Sequence, residues 1–276
     1  MPEGPEVKLL TETIANEISS KYITEIKVIS GKYLKKTIKN LTELNNKLPL
    51  KVINVMGRGK MSWIELTDNN FITFHYGMTG TIHFHHDRLR SNIQFIIDDG
   101  TIMCYDDVRN FGNVKIYLDK QSFNSELKSI GSDIMLLNMP YNNISVIRNK
   151  YKHKTICEIL MNQSIWSGIG NYIKTEVLYQ TKVHPLSLLV NIPDSKLEDI
   201  IKFAHDIAIT SYNMQGSTFL SYKNNDKSGN FQKLFKIYGK KKDIENNIVF
   251  KLDTYDGRKT SYVPVVQSIG FMIRII

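Results

Sequence analysis

Between residues 21 and 118 the sequence is a succession of short runs rich in β-branched and aromatic residues: KYITEIKVIS, KVINVM, KMSWIEL, FITFHYG, GTIHFHH, SNIQFIID, GTIMCYDD and NVKIYL. Side chains of this kind fit a pleated, half-buried surface better than a helix. Gly, Asn and Asp separate the runs, and the DDG at Asp98–Gly100 is a hairpin signal. Seven or eight strands in about 90 residues imply a sandwich or a barrel.

The flanking segments have a different period. From Pro5 to Ser19, Val7, Leu10, Ile14 and Ile18 recur at helical spacing and predict one amphipathic helix ahead of the strands. Near residue 122 the pattern changes, and KSIGSDIM and NMPYNNIS read as a connection between domains. From Ser145 the period is helical through TICEILMNQ, NYIKTEVLYQ and SKLEDIIKFAHDIAITSYNM. Near residue 231 it becomes β again, with FKIYG, NNIVFKL and TSYVPVV as short strands. The expected fold class is α+β. Residues 1–131 form a β-sandwich domain with a leading helix, and residues 132–276 a helical domain with a terminal β-hairpin.

Charge narrows the partners. The 276 residues carry a net charge of +9, which fits a polyanion, with DNA or RNA first and anionic lipid second. No run of apolar residues is long enough to span a bilayer, and no charged-then-apolar leader precedes the first helix. With only Cys104 and Cys157 there is neither a disulfide framework nor a four-cysteine zinc site, so an intracellular, reducing compartment is expected.

Two segments carry candidate chemistry. The chain begins MPEGPEV, placing Glu3 and Glu6 beside its α-amine. One reading is a helix cap, with proline in the first turn and carboxylates offsetting the dipole. The other is a nucleophile: removal of Met1 leaves the secondary amine of Pro2, which attacks aldehyde-like carbons to give an iminium. In QSIWSGIGNYIKTEVLY (Gln163–Tyr179) a helix ends near Gln163 and another opens near Asn171. Gly168 and Gly170 lie in the turn between them, which could present backbone N–H groups and a positive helix end to a phosphate. An ordinary helical hairpin with glycine caps accounts for the same residues.

Taken in order, PEGPEV, HYGMTG (His75–Gly80), DVRNFG (Asp107–Gly112) and GIGNYIKTEVLY resemble the formamidopyrimidine-DNA glycosylase/endonuclease VIII family over essentially the whole chain. The resemblance implies a β-sandwich domain followed by a helix–two-turn–helix motif (about 150–180) and a hairpin finger (about 231–276). It implies a bifunctional DNA glycosylase and abasic-site lyase of base excision repair that acts on oxidised bases in damaged DNA, as a monomer and without a cofactor. Pro2 would be the nucleophile that forms a Schiff base, Glu3 the proton donor and Glu6 the residue organising the amine. Lys60, in GRGKMSW, would contact the phosphate and sugar beside the lesion. Asn171 and Arg258 would hold the flanking phosphates, with Gly168 and Gly170 shaping the turn. Met78, Arg109 and Phe111 would fill the gap left by the extruded base; core packing is the alternative for Met78 and Phe111.

The finger departs from the commoner family pattern. Val263 and Val266 stand where cysteines would, and no Cys or His follows His205, so no zinc ligand set exists there. This resembles the zincless finger of endonuclease VIII-like members, with Val263, Val265 and Ile248 expected to hold the hairpin instead. His83, His85 and His86 offer at most a two-ligand pair and read better as a solvated hairpin end. The loop Tyr222–Phe231 corresponds to the one that covers the flipped base in relatives. Two rival functions remain: an abasic-site lyase with little glycosylase activity, and a damage-binding protein that does not cut.

Overall fold

A computed structural model describes residues 2–85, 91–136, 144–217 and 229–267. His86, most of the Tyr222–Phe231 loop and most of NMPYNNIS lie outside them. The chain divides into two compact units, one running to Ser129 and including Gln215–Gly229, the other made of Ile130–Met214 and the residues from Asn230 onward.

The first unit opens with α1 (Gly4–Ile18), followed by β1 (Tyr22–Val28), α2 (Leu41–Asn45), β2 (Leu50–Arg58), β3 (Met61–Leu66), β4 (Asn70–His75), β5 (Thr81–His85), β6 (Ile93–Ile97), β7 (Ile102–Asp106), β8 (Asn113–Tyr117) and α3 (Lys120–Lys128). Each of the eight strand-like runs therefore contains one strand. Their order is β5-β7-β6-β1-β2-β3-β4-β8, with β1 and β2 joined by only two register pairs, Tyr22↔Lys51 and Ile23↔Leu50. That short seam lets the two halves face one another. Phe74 of β4 packs against Phe95 of β6 and Tyr105 of β7, with ring centroids 5.6 and 6.0 Å apart. One core cluster takes residues from both halves, and Val7, Leu10, Ile14 and Ile18 of α1 join it. Each such side chain contributes about 1.5–3 kcal/mol on burial, which explains why a period-3.6 stripe and period-2 strands read correctly from the sequence.

Strand β8 is an edge, and side chains occupy some of its outward backbone groups. The Val114 N–H donates to the Tyr33 hydroxyl at 2.9 Å, and Asn40 Nδ2 donates to the Ile116 carbonyl at 2.9 Å. Lys32 Nζ donates to the carbonyl of Gly112, just before the strand. Side-chain caps of this kind interrupt the template that an open edge offers to another strand.

The second unit contains β9 (Ser132–Asp133), α4 (Ile144–Lys150), α5 (Ile156–Met161), β10 (Trp166–Ser167), α6 (Asn171–Gln180), α7 (Asp194–Asn213) and the hairpin β11 (Phe250–Thr254) and β12 (Arg258–Tyr262). Among the described residues, no helix is long and apolar enough to cross a membrane.

Two expectations need correction. FKIYG is a turn, because the backbone N–H groups of Lys236, Ile237 and Tyr238 all donate to the Glu176 carboxylate, at 2.9, 3.0 and 2.7 Å. A backbone gathered around one carboxylate cannot also run in a ladder. Val265 and Ile248 are 75% and 61% exposed, so they do not hold the finger. Val263 is buried, and it packs with Tyr179, Ile237, Val249 and Val266. Helix α3, which ends where KSIGSDIM begins, is not anticipated by the sequence reading; Asp119 caps it, its side chain accepting the Ser122 N–H at 2.7 Å.

Candidate functional site

The first turn of α1 concentrates the N-terminal candidates. Pro2, Glu3 and Glu6 are all buried. A buried carboxyl group needs hydrogen-bond donors, and Glu6 has two from the backbone. The Glu3 N–H donates to its Oε2 at 2.9 Å, and the Ser217 N–H donates to its Oε1 at 2.8 Å. Gly216 makes the second contact accessible: its φ is +80°, and a Cβ there would lie 3.1 Å from Glu6 Oε1. Glu6 is thus braced from its own helix and from a segment 211 residues away in sequence. Glu3 is the N-cap residue, where the helix dipole favours negative charge. The cap and the nucleophile readings are therefore compatible, since both draw on the same helix end. The Gly216–Ser217 brace was missed in the sequence; the glycine after α7 is its one visible signal.

Lys60 is half-buried in the two-residue turn between β2 and β3, after the last register pair Arg58↔Met61. Gly59 before it has φ +59°, which favours glycine at the first turn position. Helix α1 lies across β2, where a Cβ on Gly57 would come within 2.8 Å of Thr11 Oγ1. The helix bearing Glu3 and the hairpin bearing Lys60 are therefore fixed on one scaffold.

The three gap-filling candidates lie on two loops that buried Asp107 staples together. Thr79 Oγ1 donates to Asp107 Oδ1 at 2.6 Å, and the Gly112 N–H donates to Oδ2 at 2.5 Å. The Arg109 N–H in turn donates to Thr79 Oγ1 at 3.1 Å. Gly77, at φ +57°, brings the backbones so close that a Cβ would sit 2.5 Å from Gly112 N. Phe111 is 59% exposed, which excludes core packing, and the Arg109 guanidinium stacks over its ring at 4.8 Å. Met78 is half-buried on the facing loop. Asp107 was part of the DVRNFG motif but was not singled out; an Asp five residues before a Gly in a turn-rich stretch is the signal it left.

His75, at the end of β4, was also passed over. Its Nε2 lies 3.3 Å from Glu126 Oε1 of α3, and Lys115 Nζ and Tyr117 OH bind the same carboxylate at 2.8 and 2.9 Å. Burial pulls the imidazole below its usual value, against the raising effect of Glu126.

In the second unit, Asn171 is the first residue of α6, and its Nδ2 donates to the Lys259 carbonyl at 3.1 Å. That bond places the helix start beside the strand that Arg258 opens. Arg258 is half-buried, and it follows a turn in which Gly257 has φ +73°. Gly168 and Gly170 are buried. The Gly168 N–H donates to Gln163 Oε1 at 3.0 Å, so this amide is consumed within the turn and does not face a ligand. Gln163 also donates to the Ile169 carbonyl at 3.0 Å, so its side chain spans the turn. Among the described residues, no group of three His, Cys, Asp or Glu side chains could hold a metal ion. His83 instead lies 3.9 Å from Asp106, and its partner in the possible pair, His85, has no described side chain.

Comparisons with known proteins identify the family and the fold. Residues 1–114 match the family model of the formamidopyrimidine-DNA glycosylase N-terminal domain, and residues 138–222 that of the formamidopyrimidine-DNA glycosylase H2TH domain. The formamidopyrimidine-DNA glycosylase of Lactobacillus helveticus is 30% identical over 87% of this chain and 88% of its own length. That of Ureaplasma parvum is 30% identical over 97% of this chain and 100% of its own. Among solved structures, Lactococcus lactis formamidopyrimidine-DNA glycosylase in complex with abasic-site DNA superposes with a TM-score of 0.84, at 23% identity, over 96% of this chain and 99% of the other. The Thermus thermophilus protein gives 0.84 at 17% identity over 96% and 98%. These structures share the fold, and the sequence relatives establish the kinship: the chain belongs to the formamidopyrimidine-DNA glycosylase family.

Proposed function

We propose that this DNA glycosylase of base excision repair is bifunctional, releasing an oxidised base and then cutting the strand through a Schiff base on Pro2. The observation that carries the reading is the buried first turn of α1, where Glu3 and a doubly braced Glu6 stand next to the N-terminal proline.

The chemistry follows from the groups present. An α-amine has a pKa of ~7.7–8.0, so a useful fraction is neutral at pH 7 without a large shift. The Pro2 nitrogen lone pair forms a bond to C1′ while the bond from C1′ to the base breaks, and Glu3 delivers a proton to the departing base or the sugar oxygen. The C1′–O4′ bond then opens as O4′ gains a proton, and the iminium so formed between C1′ and the Pro2 nitrogen acidifies the C2′ proton. Its loss expels the 3′-phosphate in β-elimination, and a second proton loss expels the 5′-phosphate in δ-elimination. Hydrolysis then frees the amine. Glu6, held by two backbone N–H groups, keeps the turn in place while Glu3 exchanges protons. In this reading residues 1–131 form the catalytic domain and residues 132–276 the domain that holds damaged DNA. Lys60, Asn171 and Arg258 bind phosphates around the lesion, and Met78, Arg109 and Phe111 occupy the gap in the stack. The exposed Arg109–Phe111 pair supports that last assignment.

Cleavage of two duplexes tests the proposal, one carrying an oxidised pyrimidine and one a plain abasic site. The bifunctional reading requires both to be cut, with Glu3→Gln suppressing base release while lesion binding persists. Cleavage of the abasic duplex alone would leave a lyase. Cleavage of neither would leave a binding protein.

A further inference from the structure

Beside the edge strand β8 lies a groove of about 630 Å3, with Phe111 among its lining residues. Tyr33, Ile38, Val114 and Ile116 make an apolar floor, and Lys36 and Lys39 stand on its rim. Both lysines are exposed, and neither has an ion-pair partner among the described residues. The other two lysines of the groove are engaged, Lys32 with the Gly112 carbonyl and Lys115 with Glu126.

Two kinds of partner suit an apolar floor with a cationic rim, an acidic peptide and a nucleic-acid backbone. A peptide laid along β8 would draw its affinity from main-chain pairing, but Tyr33, Asn40 and Lys32 already cap the edge on that side. What remains for recognition is charge on the rim and continuity with Phe111. A phosphate backbone uses both. We propose that this groove is an accessory DNA track: the duplex entered by Phe111 continues along β8, and Lys36 and Lys39 each contact a backbone phosphate. The proposal rests on the reading of Phe111 as the side chain that enters the stack.

The track makes binding depend on duplex length on one side of the lesion. The test compares wild type with Lys36→Glu/Lys39→Glu on three lesion duplexes, one extended by a full helical turn on both sides and two truncated close to the lesion on one side each. Wild type should lose affinity on one truncation much more than on the other, and the double variant should show no such difference. On the long duplex the variant should lower the salt slope of log K by about two, the value for two phosphate contacts. Lys36→Arg/Lys39→Arg should restore wild-type behaviour, and all variants should melt together because these side chains are exposed. Base release at saturating enzyme should be unchanged. Equal slopes and equal length dependence in wild type and variant would overturn the track while leaving the glycosylase reading intact, provided wild type still releases the base. Unchanged DNA binding with lost binding of an acidic, aromatic-containing peptide would overturn it in favour of the peptide. A wild type that releases no base from any duplex fails the functional reading itself, and the proposal fails with it.

Discussion

Lys174 of α6 and Asp256 at the tip of the finger hairpin form an ion pair, Nζ to Oδ2 2.5 Å, with side chains 0% and 3% exposed. Thr254 donates its hydroxyl to the same carboxylate, and Thr254 and Thr260 share a hydrogen bond of 2.9 Å. The pair fastens the hairpin to the helix that Asn171 opens, and Arg258 lies two residues beyond the aspartate. Breaking a buried pair leaves an uncompensated charge, at ~3–5 kcal/mol. Lys174→Met should therefore lower the urea midpoint sharply, and Lys174→Met/Asp256→Leu should recover most of the loss. Equal midpoints for wild type and Lys174→Met would show that the pair holds nothing.

Metal should be dispensable. The tail after His205 offers no thiolate or imidazole, and the finger is held by Val263, the Lys174–Asp256 pair and two carboxylates that gather backbone N–H groups, Glu176 and Asp243. Elemental analysis should find no stoichiometric zinc, and chelator should leave the melting temperature unchanged. One zinc per chain would mean that the finger has been misread.

Arg258 should act on DNA more than on the fold. Arg258→Ala should weaken lesion-duplex binding and reduce the salt slope by about one unit, as expected for one phosphate contact. Base excision should fall more than cleavage at a preformed abasic site, which requires less stabilisation of an extruded base. A large drop in melting temperature with unaltered binding would assign the arginine to the hairpin instead.

The two loops that carry the gap-filling candidates Met78, Arg109 and Phe111 depend on a glycine. At Gly77, with φ +57°, a side chain is strained and its Cβ would collide with Phe111 and Gly112 backbone. Gly77→Ala should therefore separate the loops and depress base release strongly while abasic-site cleavage falls less. Equal losses on both substrates would place Gly77 in general stability.

Acid should destabilise the fold as its buried imidazoles gain protons. Burial pulls His184 below 6.5, and its Nδ1 accepts the Leu186 N–H at 3.2 Å, a bond that requires an unprotonated Nδ1. His75 is lowered for the same leading reason. With the folded pKa below the unfolded one, the unfolded chain binds the extra proton, so stability is full above 6.5 and declines as pH falls below it. His184→Asn, which preserves the acceptor, should flatten the decline of unfolding free energy between about pH 6.5 and 5. An unchanged profile in that variant would rule His184 out as a source.

What was legible in the sequence was local. The eight strands and α1 announce themselves because each carries its own buried stripe. Glu3, Arg109, Phe111 and Asn171 stood in short motifs, so their positions could be anticipated. Contacts between distant segments could not. Nothing near Lys174 marks Asp256 as its partner 82 residues on, and nothing in FKIYG announces that Glu176 will gather its amides. Val265 and Ile248 looked like hairpin packing because hydrophobicity alone does not say which face of a two-stranded hairpin meets the helices. Helix α3 escaped because KQSFNSELK buries only Phe123, too little for a period to show.

Borohydride trapping decides whether the N-terminal proline is the nucleophile. Protein lacking Met1 is incubated with lesion DNA and borohydride, and the cross-linked residue is mapped by mass spectrometry. The expected product is a covalent complex linked through the Pro2 nitrogen, lost in Pro2→Gly and retained in Lys60→Ala. Trapping that persists in Pro2→Gly and disappears in Lys60→Ala would identify a lysine as the nucleophile and exclude Pro2.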